Sequence, residues 1–456
     1  DRPVTDSLVL SVGQLVEFAC RSGDLAAGVR GPSALEGVRA HQRWQRQRGE
    51  NWRPEVPLKE TISIDEAGLA YKQVTLQGRL DLLCEGEALP VIEEIKSCYA
   101  PPEHMPEGQK ALHWAQLKLY GFLYLLAQHR QSTQNEDKEP SAADIDKVTQ
   151  SGVILRMLWL RLPEDQPYPQ QLVAQWSELH AFTLDALSRY LRWQRLVDQQ
   201  HAACRATAHS LEFPYPDFRQ GQRAMAASIY RTLRDGNTLL CEAPTGIGKT
   251  ISALFPAVKA LGTGLADQVL FLTAKNSGRL AATTALQCLT EAGLEVSYVI
   301  IQARQQACSC SNGDCIRDEH GVCPRTVGFF DRLPAAREAL LERRQLDSEN
   351  IAGVAARYQL CPFELTLQML PWCNVVICDY NFAFDPVATL SFLQQPSDRI
   401  GVLLDEAHNL VDRARQMHSA TLSRQQLRQG ADLASPDHPA LARALRGVDR
   451  ALGRWH

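Results

Sequence analysis

The stretch "NTLLCEAPTGIGKT", Asn237–Thr250, joins an apolar run to a glycine-rich turn that ends in Lys-Thr. The apolar run predicts a buried strand, and "ISALFPAVKAL" after the turn predicts a helix. A glycine-rich turn in this context aims backbone N–H groups and a helix N-terminus at phosphate oxygens. Lys249 is expected to reach the β and γ phosphates of a nucleotide, and Thr250 to ligate Mg²⁺. The predicted nucleotide-binding residues are Ala243, Pro244, Thr245, Gly246, Ile247, Gly248, Lys249 and Thr250.

The first position of this loop is Ala243, where the general pattern has glycine, and a chance glycine-rich turn is the alternative interpretation. About 150 residues further on, "VLLDEAH" (Val402–His408) ends an apolar run with two adjacent carboxylates. By pattern, Asp405 holds the Mg²⁺ and Glu406 orients the attacking water, while His408 couples the nucleotide to other motifs. The pairing of loop and carboxylates favours a nucleotide site over a helix N-terminus.

Apolar runs also occur in "QVLFLTA", "NVVICDY" and "IGVLLDEAH", and helical stretches separate them. Continuous apolar strands that alternate with helices predict a parallel sheet covered on both faces. These motifs occur in order with "FPYPDFRQGQ", "FLTAKNSG" and "VVICDYNFAFDP", and together they resemble the superfamily-two helicases of the XPD/DinG type. The resemblance covers Phe213 to about Arg415. It implies that Gln222 reads the adenine and that an iron–sulfur domain lies between the first strands and the DEAH strand.

Four cysteines crowd the stretch "CSCSNGDCIRDEHGVC", Cys308–Cys323, which lies between the two nucleotide motifs. No export signal is visible, which favours a reducing compartment. In such a compartment, crowded cysteines indicate metal ligands rather than disulfides. The resemblance implies a [4Fe–4S] cluster with one further cysteine in a "CPF" turn. Its ligands would be Cys308, Cys315, Cys323 and Cys361, with Cys310 an alternative to Cys308. Structural zinc remains the other possibility, and Cys373 and Cys378 are expected to pack in the core.

A second group of chemical residues lies near the amino terminus, in "GRLDLL" and "IEEIKS". Strand alternation puts Glu94 and Lys96 on one face and Glu93 on the other, where replacing it should have little effect. Asp81 joins the first pair if the two strands are neighbours. Asp, Glu and Lys at one sheet edge predict a Mg²⁺ or Mn²⁺ site, in which Lys96 polarises a water molecule. Ordinary surface strands also produce this pattern.

Two further pairs strengthen that interpretation. Gly37 and His41 form a "GxxxH" ahead of the Asp, and Gln116 and Tyr120 form a "QxxxY" with one helical turn between them. With these pairs, Ser33 to Tyr124 resembles the RecB-like branch of the PD-(D/E)XK nucleases. The resemblance implies that His41 is a third metal ligand and that Gln116 and Tyr120 contact DNA or steady the site. Taken alone, His41 would be an ordinary surface or core histidine.

Arginines and tryptophans lie around the helix that carries His41, and they predict either a DNA-facing patch or a solvated face. They are Arg30, Arg39, Arg43, Arg46, Arg48, Arg53, Trp44 and Trp52. The whole chain has a net charge of −4, so DNA binding would depend on such local patches. No apolar run approaches the roughly 20 residues of a membrane span, and no secretory signal is visible, which predicts a cytoplasmic protein.

The predicted fold is α/β, with a nuclease core over residues 1–205 and a RecA-like motor domain over 206–456. We expect an iron–sulfur insertion near 300–365 and the start of an arch insertion from about 415. The expected function is an ATP-dependent DNA helicase and nuclease in DNA repair, with single-stranded or forked DNA as partner. The absence of a second motor domain predicts a C-terminally truncated fragment. The alternatives are a DNA-binding scaffold with an inactive nuclease fold and a zinc-containing, RNA-directed ATPase.

Overall fold

The computed structural model describes the chain except for residues 1–6, 26–30, 65–70, 72, 87, 135–150, 245, 309–322, 387–389, 391–392, 394–398, 437 and 455–456. It divides into two compact units. The first comprises residues 1–212, 261–264 and 290–375, and the second comprises 213–260, 265–289 and 376–456. Within the described ranges, no helix is long and apolar enough to cross a membrane.

The amino-terminal part of the first unit is built on a mixed sheet, which has six strands among the described residues. They are β1 (Ser7–Ser11), β2 (Trp52–Ser63), β3 (Gln73–Cys84), β4 (Val91–Cys98), β5 (Gly152–Arg161) and β6 (Gln166–Gln175). The order is β1-β3-β4-β5-β6, and β2 also pairs with β3. Strands β4 and β5 are parallel over eight residue pairs, whereas β3 and β4 are antiparallel over only Leu82–Cys84. Beyond those three pairs, no ladder joins β3 to β4 in the described register.

Four α-helices accompany this sheet in the described part of the region: α1 (Val12–Ala19), α2 (Ala34–Arg46), α3 (Glu107–Gln134) and α4 (Trp176–Ser210). The serine ahead of the helical pattern from Ala34 predicts an N-cap for α2, and the structure confirms it. The Ser33 hydroxyl accepts from Glu36 N–H, and the Glu36 carboxylate accepts from Ser33 N–H. Two side-chain clusters lie on opposite faces of the sheet. Ile92 belongs to the larger one with α3, whereas Ile95 packs with Ala40 of α2 in the smaller one. Alternation along β4 therefore directs successive side chains toward different helices.

Two predictions from the sequence of this part are wrong. The pattern from Pro169 to Gln200 predicts a helix, but Gln166–Gln175 is a strand that pairs antiparallel with β5, and α4 starts only at Trp176. The composition of residues 201–212 predicts a linker, but α4 continues to Ser210 and buries Cys204 and Ala208. The small apolar residues of this stretch fill a helix face, which composition alone does not distinguish from a linker.

The segment 290–375 completes the first unit. It contains helices Arg304–Ala307, Phe329–Leu341, Ser348–Arg357 and Pro362–Met369, and a parallel pair of short strands, Tyr298–Ile300 and Gln345–Leu346. Reciprocal hydrogen bonds join this segment to residues 23–25. Gly23 N–H donates to Asp331 Oδ1 (2.9 Å), Gly328 N–H to Asp24 Oδ1 (2.7 Å), and Leu25 N–H to the Thr326 carbonyl (2.8 Å).

An aromatic cluster joins the same segment to α1 and α4. The Trp372 ring meets Phe18 at 5.7 Å, Trp193 at 5.8 Å and Tyr190 at 6.5 Å between centroids, and each pair is edge-to-face. The buried guanidinium of Arg337 lies over the Phe18 ring at 4.7 Å. Edge-to-face ring pairs of this kind contribute about 0.5–1.5 kcal/mol each beyond their buried area.

The second unit is also α/β. Ile400–Leu404 pairs in parallel with Gln268–Leu272, whose other neighbour is Val375–Cys378. The helices of this unit are Gln222–Asp235, Lys249–Gly262, Asn276–Glu291, Asn381–Phe384, Leu410–Met417, Arg424–Ala434 and Pro439–Leu452. Three predicted strands are thus confirmed, but the fourth, in Asn237–Pro244, is not assigned as a strand. Leu240 is 90% exposed there, so the apolar run predicted a burial that this segment does not have.

Candidate functional site

The amino-terminal site lies where β3 and β4 separate. Asp81 lies just before the short ladder that joins the two strands, and its Oδ2 accepts a hydrogen bond from Ile95 N–H at 2.7 Å. The predicted neighbourhood of Asp81 and the "EIK" strand is therefore confirmed. His41 approaches from α2, with its Nδ1 3.9 Å from Asp81 Oδ2.

The side chains on the α3 side of β4 form a connected row. Lys96 Nζ donates to Glu94 Oε1 (2.8 Å) and to Gln116 Oε1 (3.1 Å), and Gln116 Nε2 donates to the Tyr120 hydroxyl oxygen (3.3 Å). Glu94 is 3% exposed, and its other oxygen, Oε2, is buried without a hydrogen-bond partner among the residues that the structure describes. An unpartnered buried carboxylate oxygen is costly, which makes it a place where a cation would be stabilised.

Burial sets the protonation of this site. It raises the pKa of Asp81 and of Glu94 above their usual values, and the negative charge of Asp81 raises the pKa of Glu94 further. Burial also lowers the pKa of His41, and the Lys96 ammonium lowers it further. A neutral imidazole beside acidic oxygens is the form that ligates a metal.

The donor set fits a hard divalent cation, because it consists of carboxylate oxygens and one imidazole. Within the described ranges, however, no three His, Cys, Asp or Glu side chains are gathered as a preformed metal-binding group. His41 and Asp81 are close, and Asp81 and Glu94 interact electrostatically, but the three predicted ligands do not converge.

Glu93 is a functional candidate that the sequence reasoning misjudged. Glu93 lies on the face opposite Glu94, as predicted, and its side chain is fully buried. Its carboxylate accepts from Trp44 Nε1 (3.0 Å) and from Arg48, and Arg156 Nη1 lies 3.6 Å away. Removing one partner of a buried, hydrogen-bonded ion pair is strongly destabilising, so these contacts lead us to expect an effect of Glu93 replacement where alternation alone predicted little.

His113 is a second residue that the sequence reasoning missed. It lies one turn before Gln116 on α3, with its ring edge-to-face on Trp159 at 5.5 Å. Burial lowers the pKa of His113 to about 3, and the Lys96 charge contributes in the same direction. The i, i+3 spacing of His113 and Gln116 is visible in the sequence. The proximity of His113 to Lys96 depends on how α3 packs on the sheet, which the sequence pattern does not give.

Several predicted DNA-facing arginines have acidic partners. Arg43 forms two hydrogen bonds with Asp165 (2.6 and 2.7 Å), and Arg53 lies 2.7 Å from Glu85. Arg48 is engaged by Glu93 and stacks on Trp44 and Trp52 at 4.8 and 4.6 Å. Arg30 lies outside the described residues. Arg43, Arg48 and Arg53 thus have acidic partners within the fold, and the DNA-facing patch stays a prediction.

The nucleotide motifs meet inside the second unit. Helix Lys249–Gly262 starts at the end of the predicted loop, and Lys249 Nζ lies 3.4 Å from Glu406 Oε1. Gly246 and Gly248 both have φ of +82°, which non-glycine residues rarely adopt. Ala243, Pro244, Ile247 and Thr250 are described, whereas Thr245 is not.

The acidic pair follows Ile400–Leu404 directly. Asp405 Oδ2 accepts from Thr273 Oγ1 at 3.4 Å, and His408 Nδ1 lies 3.4 Å from Glu406 Oε2. Because Gln268–Leu272 and Ile400–Leu404 are parallel, Thr273 and Asp405 follow them at the same sheet edge. Burial raises the pKa of Asp405, and the neighbouring Glu406 charge raises it further. The arrangement brings one lysine and two carboxylates to the end of the phosphate loop.

Gln222, the predicted adenine reader, is buried at the start of helix Gln222–Asp235. Its Oε1 accepts from Arg219 N–H at 2.7 Å, and Arg219 Nη1 donates to the Gly246 carbonyl at 2.6 Å. A methyl group on Gly248 would come within 2.6 Å of Gln222 Nε2. Gln222 therefore packs directly on the phosphate loop.

Three of the predicted cluster cysteines are described. Cys323 and Cys361 are buried and Cys308 is half-buried, while Cys310 and Cys315 lie outside the described residues. Direct contacts join the segments that carry them: Arg304 pairs with Glu364 and lies over the Phe363 ring at 4.7 Å, and Arg325 Nη1 donates to the Leu360 carbonyl at 3.3 Å. Cys373 and Cys378 are buried in apolar surroundings, as predicted.

Comparison with known proteins finds similarities to helicases. The DEAD_2 family profile matches residues 281–427. A regulator of telomere elongation helicase 1 homolog from Drosophila yakuba is 25% identical in an alignment of length 248 that covers 43% of this chain and 24% of the relative. The general transcription and DNA repair factor IIH helicase subunit XPD from Dictyostelium discoideum is 24% identical in an alignment of length 223 that covers 43% of this chain and 29% of the relative.

The chain thus spans less than a third of the length of these relatives. A solved structure described as an XPD helicase aligns with 51% of this chain and 40% of its own, at 16% identity and a TM-score of 0.34, which is too low to inform the fold. The profile match and the ordered nucleotide motifs indicate a mixed α/β helicase core with parallel strands. On these grounds, residues 281–427 resemble the DEAD_2 family, and the chain is similar to helicases of the XPD type.

Proposed function

We propose that this chain is part of an ATP-dependent DNA helicase that also carries a metal-dependent nuclease site, and that it acts on single-stranded or forked DNA in repair. The DEAD_2 match supports the helicase half. The observation that carries the nuclease half is the Asp81, Glu94 and Lys96 arrangement, with its buried, unpartnered carboxylate oxygen. The activity of the whole protein is inferred from relatives that are several times longer than the matched region.

In the second unit, the residues at the phosphate loop have different roles in ATP hydrolysis. Lys249 neutralises charge on the terminal phosphates, and the loop's N–H groups and Thr250 hold phosphate and Mg²⁺. Asp405 would hold the same cation, while Glu406 orients the attacking water. Gln222 reads the adenine, and His408 connects the site to other motifs. The approach of Lys249 to Glu406 supports this division.

In the amino-terminal unit, His41, Asp81 and Glu94 would hold Mg²⁺ or Mn²⁺. A bound divalent cation would supply an activated water and stabilise the leaving oxygen of a phosphodiester. Lys96 is anchored by Glu94 and Gln116, and it orients the water through a hydrogen bond. Gln116 and Tyr120 steady Lys96 or contact the DNA. Burial keeps this row of side chains in one arrangement.

The cysteine segments form the third element of the proposal. We infer a [4Fe–4S] cluster held by Cys308, Cys315, Cys323 and Cys361, with Cys310 the alternative first ligand. Thiolate ligands on a short loop and in the "CPF" turn also suit zinc, so metal analysis decides between the two. We further propose a nuclease domain over residues 1–205 and a motor domain over 206–456, with a cluster insertion near 300–365 and an arch insertion from about 415.

The test uses the full 456-residue chain. We expect Mn²⁺-dependent cleavage of single-stranded or forked DNA, ATP binding that requires Lys249, and a brown protein with iron and sulfide. DNA binding without cleavage at any Mn²⁺ concentration would favour a scaffold with an inactive nuclease fold. A colourless protein that contains zinc and prefers RNA would favour an RNA-directed ATPase.

A further inference from the structure

Helix α2 carries His41, but few apolar contacts hold it in place. Of its thirteen residues, Ala40 alone is buried among those described, packing against Leu82 and Ile95. A surface helix normally buries an apolar stripe several residues wide, and most helical stability in proteins comes from that burial. Trp44 adds a partly buried ring to the same cluster, and the position of α2 therefore depends on polar contacts as well as on these two residues.

The main polar contact of α2 is with Glu93 on β4. The Glu93 carboxylate is fully buried, and it accepts from Trp44 Nε1 at 3.0 Å and from the Arg48 guanidinium just beyond the end of the helix. Trp44 lies in the last turn of α2, and Arg48 lies two residues past its end. Glu93 thus holds the last turn of α2 and the segment that follows it through one buried acceptor.

The rings around Arg48 complete this contact. Its guanidinium lies between Trp44 at 4.8 Å and Trp52 at 4.6 Å, and Arg156 also lies over Trp52 at 5.7 Å. Guanidinium groups on tryptophan faces are attracted by the ring quadrupole, more strongly when water is excluded. The arrangement joins α2 to β2, β4 and β5.

A second contact fixes α2 on the side of the proposed metal site. Gln45 Nε2 donates to the Asp81 carbonyl at 3.2 Å and to Glu55 Oε1 at 2.9 Å. Gln45 lies one turn after His41, so its bond to the backbone of Asp81 sets the distance between His41 and the Asp81 carboxylate. Glu93 and Gln45 hold the helix together with the Arg43–Asp165 pair.

We propose that Glu93 is a positioning residue: by holding α2 through Trp44 and Arg48, it places His41 opposite Asp81. Its effect on metal affinity rests on the proposed nuclease function, whereas its effect on His41 does not. Replacing a residue that orients a metal ligand without binding the metal typically changes the metal affinity about 10–100-fold. Glu93 acts on the site without touching metal or substrate.

The first experiment uses the metal-free full chain. The His41 ring signal is assigned in ¹H–¹³C spectra by its loss in His41→Ala. We expect Glu93→Gln, and more mildly Trp44→Phe, to shift this signal. Glu60→Gln serves as the matched control, because Glu60 also pairs with an arginine, Arg130, but does not contact α2. An unshifted His41 signal in a folded Glu93→Gln or Trp44→Phe protein would overturn the proposal.

The second experiment is a double-mutant cycle for Mn²⁺ affinity. Glu93→Gln should weaken Mn²⁺ binding about 10–100-fold in the wild-type background and less than about twofold in His41→Ala. Equal losses in the two backgrounds would mean general destabilisation and would overturn the positioning role. If the wild-type chain binds no Mn²⁺ while His41 still responds to Glu93, the nuclease proposal fails and the positioning proposal stands.

Discussion

The Lys96 ammonium lies 2.8 Å from one oxygen of Glu94, while the other oxygen of the same carboxylate is buried and has no hydrogen-bond partner among the described residues. A structural ion pair in a protein interior normally satisfies both oxygens, because a buried unsatisfied oxygen costs about 1–3 kcal/mol, and more when it is charged. The half-satisfied carboxylate is therefore better explained by a ligand than by stability.

Separate roles for Glu94 and Lys96 lead to the first prediction. Glu94→Gln should lose Mn²⁺ binding and DNA cleavage together, because it removes a ligand charge. Lys96→Ala should keep Mn²⁺ binding and lower cleavage at least about 100-fold, since it removes an interaction that matters mainly in the transition state. Calorimetric Mn²⁺ titration and a cleavage assay on each variant measure both quantities. Full cleavage by Glu94→Gln would rule out the nuclease function.

The raised pKa of Glu94 predicts how metal-free stability depends on pH. A carboxyl group whose pKa is raised by folding binds its proton more tightly in the native state. The native state therefore loses stability as pH rises from the unfolded value of 4.5 through the raised folded value. The Glu94→Gln variant has no titrating group at this position. The difference between its Tm and that of the wild type should therefore increase from about pH 5 to pH 8, by roughly 2–4 °C for each kcal/mol of stability that the wild type loses. Thermal unfolding in EDTA tests this, and a constant difference across pH would contradict it.

Nucleotide binding should depend on Lys249. Lys249→Ala removes a charge-assisted hydrogen bond worth about 1.5–3 kcal/mol, so the affinity for ATP should fall at least about tenfold. The matched control is Lys259→Ala, on the same helix but away from the loop. Fluorescence polarisation of a labelled ATP analogue measures the affinity. Cleavage of single-stranded DNA should be unchanged, and a parallel loss of both activities would contradict two separate sites.

The cysteine assignment predicts a difference between two buried thiols. Cys361→Ser should remove most of the bound metal and lower the unfolding temperature, because metal binding contributes folding energy to such segments. Cys373→Ser, in apolar core, should retain the metal. Iron, zinc and sulfide analysis with visible absorption measures the outcome. Metal retained in Cys361→Ser but lost from Cys373→Ser would show that the ligand assignment is wrong.

Local patterns predicted the elements that carry the amino-terminal site. The Ser33 cap, the alternation along β4 and the i, i+4 pair Gln116 and Tyr120 each depend on residues close in sequence, and the structure has all three. Strand pairing between β3 and β4 followed from the short turn between them. The relation between Lys96 and Gln116 needed only these elements and one helix packed on the sheet.

Contacts between distant residues could not be predicted in this way. Alternation along β4 predicts on which face Glu93 lies but not which residues pack on that face. In the structure, Trp44 and Arg48 bind the Glu93 carboxylate there. The segment Asn237–Pro244 looked like a strand because apolar composition predicts burial, whereas strand formation also needs a neighbouring ladder. Residues 201–212 looked like a linker because small polar and apolar residues occur in both helices and linkers.

The bonds between residues 23–25 and 326–331 have a practical consequence for anyone who wishes to isolate the amino-terminal region. A clone that stops after residue 212 would uncover the Phe18, Tyr190 and Trp193 rings that Trp372 covers, and would leave Asp24 without Gly328. Contiguous exposed aromatic surface of this kind promotes aggregation. Expression libraries should therefore retain residues 290–375, or substitute polar residues for the uncovered rings.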